Sequence, residues 1–93
     1  MINVMRLDLF LKASRLILRR TLAQEFCDAG RVKVNDAKAK SSREIKEDDV
    51  IEIKRNSRIL KVKVLTVPNT KQVSKRSAAN LYEVISEETL NEE

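Results

Sequence analysis

The sequence predicts an α+β fold: two N-terminal helices, then short strands, then a short C-terminal helix. Three observations carry that expectation. Apolar residues recur at spacings of three and four over residues 7–29, with Leu7, Phe10 and Leu11 in one stretch and Leu22, Ala23, Phe26 and Ala29 in the next. The only glycine, Gly30, falls directly after the second stretch, where a helix stop commonly needs a residue at positive φ. Charged and β-branched residues then alternate over 31–35, 50–54 and 59–65, as they do in half-buried strands.

Residues 1–5 precede any pattern and are expected to form a loosely ordered start. A first helix is expected from Asp8 to about Ile17, with Asp8 placed to cap it or to complement its positive end. No glycine or proline marks a break, yet the run Leu16-Ile17-Leu18 fits a buried corner between two helices. Lys12, Arg15 and Arg19 would share one face if the helix ran on unbroken. Arg19-Arg20 open the second helix, which Gly30 ends. Arg31-Val32-Lys33-Val34-Asn35 reads as a strand and Asn35-Asp36 as a turn.

Residues 37–47 are polar and basic apart from Ile45, and are expected to form a loop with short extended pieces. Asp48-Asp49 signals a turn, and Val50 to Lys54 resumes as a strand. Residues 55–58 read as a hairpin connection. The clearest strand is Ile59 to Leu65, and Pro68-Asn69 closes it. After a polar stretch over 69–77, Ala78, Leu81, Tyr82 and Ile85 recur at helical spacing, which predicts a short helix followed by a frayed acidic tail. The chain thus divides into a start (1–5), a domain (6–68) and a C-terminal extension (69–93).

Composition limits the classes of function. Ninety-three residues form one domain that can bury roughly two-thirds of its unfolded surface. With 42% hydrophobic and 35% charged residues, one glycine and one proline, it is a globular chain. Cys27 is the sole cysteine and there is no histidine, so neither an internal disulfide nor a Cys/His zinc site can form. Cys27 reads as a small buried hydrophobe. No cofactor is expected. The first residues lack the apolar core of a secretory signal and no run approaches the length of a membrane span, so the expected location is the cytoplasm.

The net charge of +5 is unevenly placed. Residues 1–40 hold nine Lys/Arg against four Asp/Glu, whereas residues 41–93 hold ten of each. The last thirteen residues carry five glutamates and no base. A polyanion is the expected partner of the basic head. Its candidate contacts are Arg6, Lys12, Arg15, Arg19 and Arg20 on the helical pair, with Arg31 and Lys33 on the strand that follows. Arginine suits this role because its planar fork pairs with phosphate oxygens and stacks on exposed bases. Charge alone is equally consistent with ordinary solvated faces.

Order and spacing add to charge. Arg6-Leu7-Asp8-x-Phe10-Leu11, then Arg19-Arg20-x-x-Ala23, then Gly30-Arg31-Val32-x-Val34-Asn35, then Asp48-Asp49-x-Ile51, resemble the S4 RNA-binding domain family over residues 6–53. Two small stand-alone branches of that family, those of RqcP and of heat-shock protein 15, are similar throughout. Residues 6–23 and Ala78-Ala79-Asn80-Leu81-Tyr82 look most like the former. The resemblance implies two helices packed on a small, curved, mostly antiparallel sheet, with the helical pair as the RNA-binding face. It places the motif arginines on Arg6, Arg19 and Arg20 and the motif aspartate on Asp8, expected to orient an arginine or cap a helix because a carboxylate is repelled by phosphate. Asp36 and Asp48 stand where the family usually has glycine. Arg55 and Arg58 lie outside the matched stretch and are expected to contribute little.

What the resemblance implies about function is ribosome-associated quality control. A large ribosomal subunit stranded with peptidyl-tRNA is recognised, rRNA and tRNA are bound together, and RqcH extends the stalled chain with alanine. The chain is expected to be a monomer when free. Three alternatives stand beside this: a heat-shock-protein-15-like factor that moves peptidyl-tRNA on free large subunits, an enzyme, and a protein-interaction module. The acidic end favours the first reading over a very basic C-terminus of the heat-shock type. An enzyme would need a catalytic set, but Asp48-Asp49 and Glu87-Glu88 read as solvated turn and tail, and the chain has no room for a further catalytic domain. Tyr82 reads as a packing residue, with base stacking as the alternative.

Overall fold

In the computed structural model, which describes residues 3–69 and 73–89, helices α1 (Leu7–Ala13) and α2 (Arg20–Asp28) lie on one face of an antiparallel sheet. Its five strands are β2 (Val32–Val34), β3 (Ala37–Lys38), β5 (Val50–Arg55), β6 (Arg58–Val64) and β7 (Tyr82–Thr89), in the order β3-β2-β5-β6-β7. A second, two-stranded sheet joins β1 (Met5–Arg6) to β4 (Glu44–Ile45). Helix α3 (Lys75–Ala78) is the short C-terminal helix. The α+β class, the helical pair and the antiparallel sheet are those the sequence predicts.

The period-2 pattern sets the core. Val34 faces Ile51 and Ile51 faces Val62, while Val32 faces Ile53 and Ile53 faces Leu60, so these side chains line the helix-facing side. Leu7, Phe10 and Leu11 of α1 and Ala23, Phe26 and Cys27 of α2 complete the cluster. Aliphatic burial at about 25 cal/mol per Å² of apolar area is the main stabilising term in a chain with so few aromatics.

The corner between the helices is longer and less buried than the apolar run suggests. Helix α1 stops at Ala13, and the Arg15 and Ile17 amides donate to the carbonyls of Lys12 and Leu11 at 3.0 and 3.1 Å. Arg15 itself takes the left-handed position, φ 62°, that a glycine would normally fill. Lys12, Arg15 and Arg19 therefore do not share a continuous helical face. Of the run 16–18 only Ile17 is fully buried, and Leu18 is 68% exposed.

Helix α2 ends as predicted. The Gly30 and Arg31 amides donate to the carbonyls of Cys27 and Phe26, both at 3.0 Å, with Gly30 at φ 72°. Asn35 and Asp36, at φ 51° and 70°, make the two-residue turn between β2 and β3, whose mirror-image geometry matches strand twist. Asp36 and Asp48 (φ 73°) thus hold the left-handed conformation where the S4 pattern usually has glycine. Buried Asp49 accepts from the Asn35 side chain at 3.1 Å and from the Lys46 amide at 3.0 Å, tying this hairpin to the start of β5.

The C-terminal segment departs from the periodicity reading. Ser74 caps α3 through the Ser77 amide at 3.2 Å, but the helix ends at Ala78, and Tyr82–Thr89 is a strand rather than a helix with a frayed tail. Strand β7 pairs along the whole of β6, from Val64 opposite Tyr82 to Arg58 opposite Thr89. Without it β6 would expose its backbone donors and acceptors along a long edge. Tyr82, Val84, Ile85 and Thr89 are strand formers, and Ile85 is the extra residue of a bulge that breaks the period-2 pattern. Residues 90–93 lie outside the described residues, as do 1, 2 and 70–72. Met5 is not loose: it pairs with Ile45.

Two substitutions test the helix stops in opposite directions. The nearest atoms to a Cβ on Gly30 belong to the flexible Lys38 side chain, at 3.4 Å, so the cost of Gly30→Ala is mainly conformational: about 1 kcal/mol, or roughly 4–8 °C in melting temperature. Arg15→Gly relieves a non-glycine residue at positive φ and should raise the melting temperature, by about 0.5–1 kcal/mol of stability. Thermal unfolding followed by circular dichroism checks both.

Candidate nucleic-acid interface

A single buried carboxylate organises the basic face. The α1 start has no side-chain cap, and its Leu7 and Asp8 amides donate instead to the carbonyls of Arg43 and Ser41, at 2.7 and 3.1 Å. The Asp8 side chain is therefore free to turn toward α2. Its Oδ1 accepts from the Leu9 amide at 2.8 Å, and its Oδ2 accepts from Gln24 Nε2 at 2.9 Å and Arg20 Nε at 3.2 Å. Arg6 adds two donors, Nε to Oδ1 and Nη2 to Oδ2, both at 3.3 Å.

The Asp8 side chain is completely buried while the two arginine side chains are about two-fifths exposed, at 43% for Arg6 and 40% for Arg20. Burial pushes the Asp8 carboxyl up, but hydrogen bonds from Gln24, Arg20 and Arg6, with the Arg20 charge, more than offset this and hold it below the ordinary aspartate value of 3.8. Asp8 thus orients arginines, the role expected of it. Gln24 was not legible as a partner, although its place one turn after Arg20 on α2 is the spacing that aligns two side chains.

The other candidate cations are placed in two groups. Lys12, Arg15 and Arg19 are exposed on the end of α1, the corner and the start of α2. Arg31, at the start of β2, holds its guanidinium carbon 5.5 Å from the Phe26 ring centroid, within cation–π range. Among the described residues none of these four has a carboxylate within 4.0 Å. Lys33 is different. Alternation along β2 turns it to the opposite side of the sheet, where it meets Glu52 at 3.9 Å.

Arg55 is a residue that spacing alone excluded. Its guanidinium carbon also lies 5.5 Å from the Phe26 centroid, beside Arg31, because the end of β5 is tied to the start of β2 by the Lys54 amide donating to the Arg31 carbonyl at 2.8 Å. Only a tertiary contact reveals this. Cys27 is buried, and burial first, with the charges of Asp8 and Asp28, pushes its thiol up to about 11, so the reactive thiolate is suppressed. Among the described residues no group of three His, Cys, Asp or Glu could hold a metal.

Two helices packed on an antiparallel sheet are the architecture the S4 resemblance implies, and the S4 domain family model matches residues 5–51, so the chain carries an S4 domain. The fold is shared with Heat Shock Protein 15 of Vibrio cholerae, at a TM-score of 0.80 and 23% identity over 90% of this chain and 84% of that one. It is also shared with the hypothetical protein HP1423, at a TM-score of 0.77 and 32% identity over 88% of this chain and 98% of that one. The chain is 48% identical to the RQC P-site tRNA stabilizing factor of Streptococcus pneumoniae, over 95% of this chain and 98% of its relative. It is 43% identical to that of Bacillus subtilis, over 95% and 100%. The protein belongs to the family of RQC P-site tRNA stabilizing factors.

The buried carboxylate makes stability sensitive to acid. A group whose folded-state pKa is depressed contributes stability above its unfolded value and loses it as pH falls through the folded value. Wild-type stability should fall as pH drops below 3.8, the sign that both Asp8 and Asp49 dictate. Asp8→Asn should cost about 2 kcal/mol at neutral pH, less than breaking a fully buried pair because the arginines are partly solvated, and should flatten that acid slope. Urea-unfolding midpoints across pH check both expectations.

Proposed function

We propose that this protein binds rRNA of the large ribosomal subunit and tRNA together, on subunits stranded with peptidyl-tRNA, and supports alanine tailing of the stalled chain by RqcH. It acts by binding rather than catalysis, in the cytoplasm and on the ribosome, and is a monomer when free. The observation that carries this reading is the Arg6–Asp8–Arg20 fork, in a chain that relatives named for the RQC P-site tRNA cover almost end to end. Among the described residues no helix is long and apolar enough to cross a membrane.

The geometry supports RNA contact through pre-organisation. An arginine already held by Asp8 loses less side-chain freedom on meeting a phosphate than a free one does. Arg20 spends only Nε on Asp8, which leaves both Nη nitrogens uncommitted for a phosphate fork, whereas Arg6 commits Nε and one of the two N–H groups of Nη2. Arg20 is therefore the stronger contact. A helix start disfavours positive side chains by a few tenths of a kcal/mol, so Arg19 and Arg20 at the start of α2 slightly oppose helix stability. Asp8 accounts for Arg20, and RNA contact supplies the reason for Arg19, which has no carboxylate partner among the described residues.

The test is sedimentation of variants with purified large subunits at one fixed salt concentration. Arg20→Ala should weaken association by about 1–3 kcal/mol, and Arg6→Ala and Arg19→Ala by less. Lys63→Ala should cost under about 0.5 kcal/mol, because Lys63 is paired with Asp48 at 3.5 Å on the far side of the sheet. If about four to six phosphates are neutralised, log affinity should fall with log salt at a slope of roughly −3 to −5. Equal losses in all four variants would show diffuse charge rather than a site.

A further inference from the structure

Between the corner that links the helices and the tip of the β5–β6 hairpin lies a cleft of about 390 Å³. Its apolar wall is Leu16 from the corner, Ile53 from β5 and Leu60 from β6. Arg55 and Arg58 stand on its rim with Glu87 of β7, and Ser57 lies at the hairpin turn. Leu16 and Leu60 are only partly buried against the core, so the wall keeps apolar surface that the fold does not cover.

The rim chemistry narrows what the cleft can take. Arg55 has no carboxylate within 4.0 Å among the described residues, and Arg58 meets Glu87 at 3.8 Å with both side chains more than half exposed, a weak contact that a ligand can reorganise. Two guanidinium groups against one carboxylate favour a ligand that is anionic at its edge and flat and apolar in its body. An unpaired nucleotide has that form: its base covers aliphatic wall, its phosphates meet arginine, and an amino group of the base can donate to a carboxylate.

We propose that this cleft receives one unpaired nucleotide of the RNA bound on the helical face. The inference rests on the RNA-binding reading above and extends it to the C-terminal strand. Continuity supports RNA over a separate small ligand: Leu16 lies three residues before Arg19 in the same corner, and Arg55 shares the Phe26 ring with Arg31. Glu87 gives the acidic strand a place in recognition, as an acceptor for a base amine.

Two RNA hairpins test it, one fully paired and one identical except for a single unpaired adenosine. Wild type should bind the bulged hairpin at least about threefold more tightly, short of what stacking a base on an aromatic ring contributes because the wall is aliphatic. Ser57→Leu fills the cleft without changing charge; it should abolish that preference while leaving affinity for the paired hairpin within about twofold. Arg55→Ala should reduce the preference, and Arg20→Ala should weaken both hairpins alike, with circular dichroism confirming that each variant is folded. Equal affinity of wild type for the two hairpins, or a preference that survives Ser57→Leu, overturns the cleft while leaving the helical face standing. Failure of wild type to bind either RNA overturns the RNA-binding reading and this inference with it.

Discussion

The arginine pair at the centre of the basic face depends on one buried carboxylate. Asp8 sits at the start of α1, receives donors from α1, α2 and the residue before α1, and is sealed from water. A lone ionised carboxylate in that position would be costly, by several kcal/mol after relaxation. Arg6, Arg20 and Gln24 offset the cost, and in doing so they fix the crossing of the two helices and the direction of two guanidinium groups. Stability and the proposed RNA contact are therefore coupled in one cluster: the same hydrogen bonds that satisfy Asp8 hold the two partly exposed arginines. The cluster keeps a net positive charge, which suits a phosphate but would be poor design for a purely structural core.

The rest of the charge is sorted by the pleat of the sheet. On the side away from the helices, Lys33 and Lys61 both meet Glu52 at 3.9 Å, Lys61 also meets Asp36, and Lys63 meets Asp48. Each pair is worth little to stability. Their consequence is electrostatic: that face is locally balanced, while Lys12, Arg15, Arg19 and Arg31 have no such partners among the described residues. A polyanion meeting this molecule finds its unbalanced positive charge on the helical side. Net charge alone does not show this, because +5 is compatible with any arrangement.

What was legible in the sequence follows from how local the cause is. Helix α2, the stop at Gly30, the Asn35-Asp36 turn and the strands β5 and β6 are set by residues within one turn or one pleat of each other, so spacing finds them. Strand β7 was misread because Ala78, Leu81, Tyr82 and Ile85 fall at helical spacing by chance of a bulge, and because its cause is distant: an unpaired edge of β6 that only the assembled sheet presents. The arginines of the candidate site were legible through the S4 spacing. Gln24 and Arg55 were not, since one is identified only by a carboxylate on another helix and the other by an aromatic ring on α2. Lys33 was legible as basic, but which side it faces is fixed by the burial of Val32 and Val34 around it.

The corner carries the same lesson into energetics. Among the described residues five non-glycine residues hold positive φ, and four of them, Asn35, Asp36, Asp48 and Asn56, are the residue types whose short polar side chains tolerate it in turns. Arg15 is the exception, a long side chain in a conformation that glycine would take without strain. Such strain persists only when something over-determines it. Packing gives part of the answer, since buried Ile17, tied to the Leu11 carbonyl, fixes the path of the backbone. It does not explain the side chain, which is exposed and makes no ion pair among the described residues. The proposed RNA face would account for it: an exposed cation on a strained backbone, with solvent-facing Leu18 and then Arg19 following in the same corner, is a cost to the free protein that contact with a polyanion would offset.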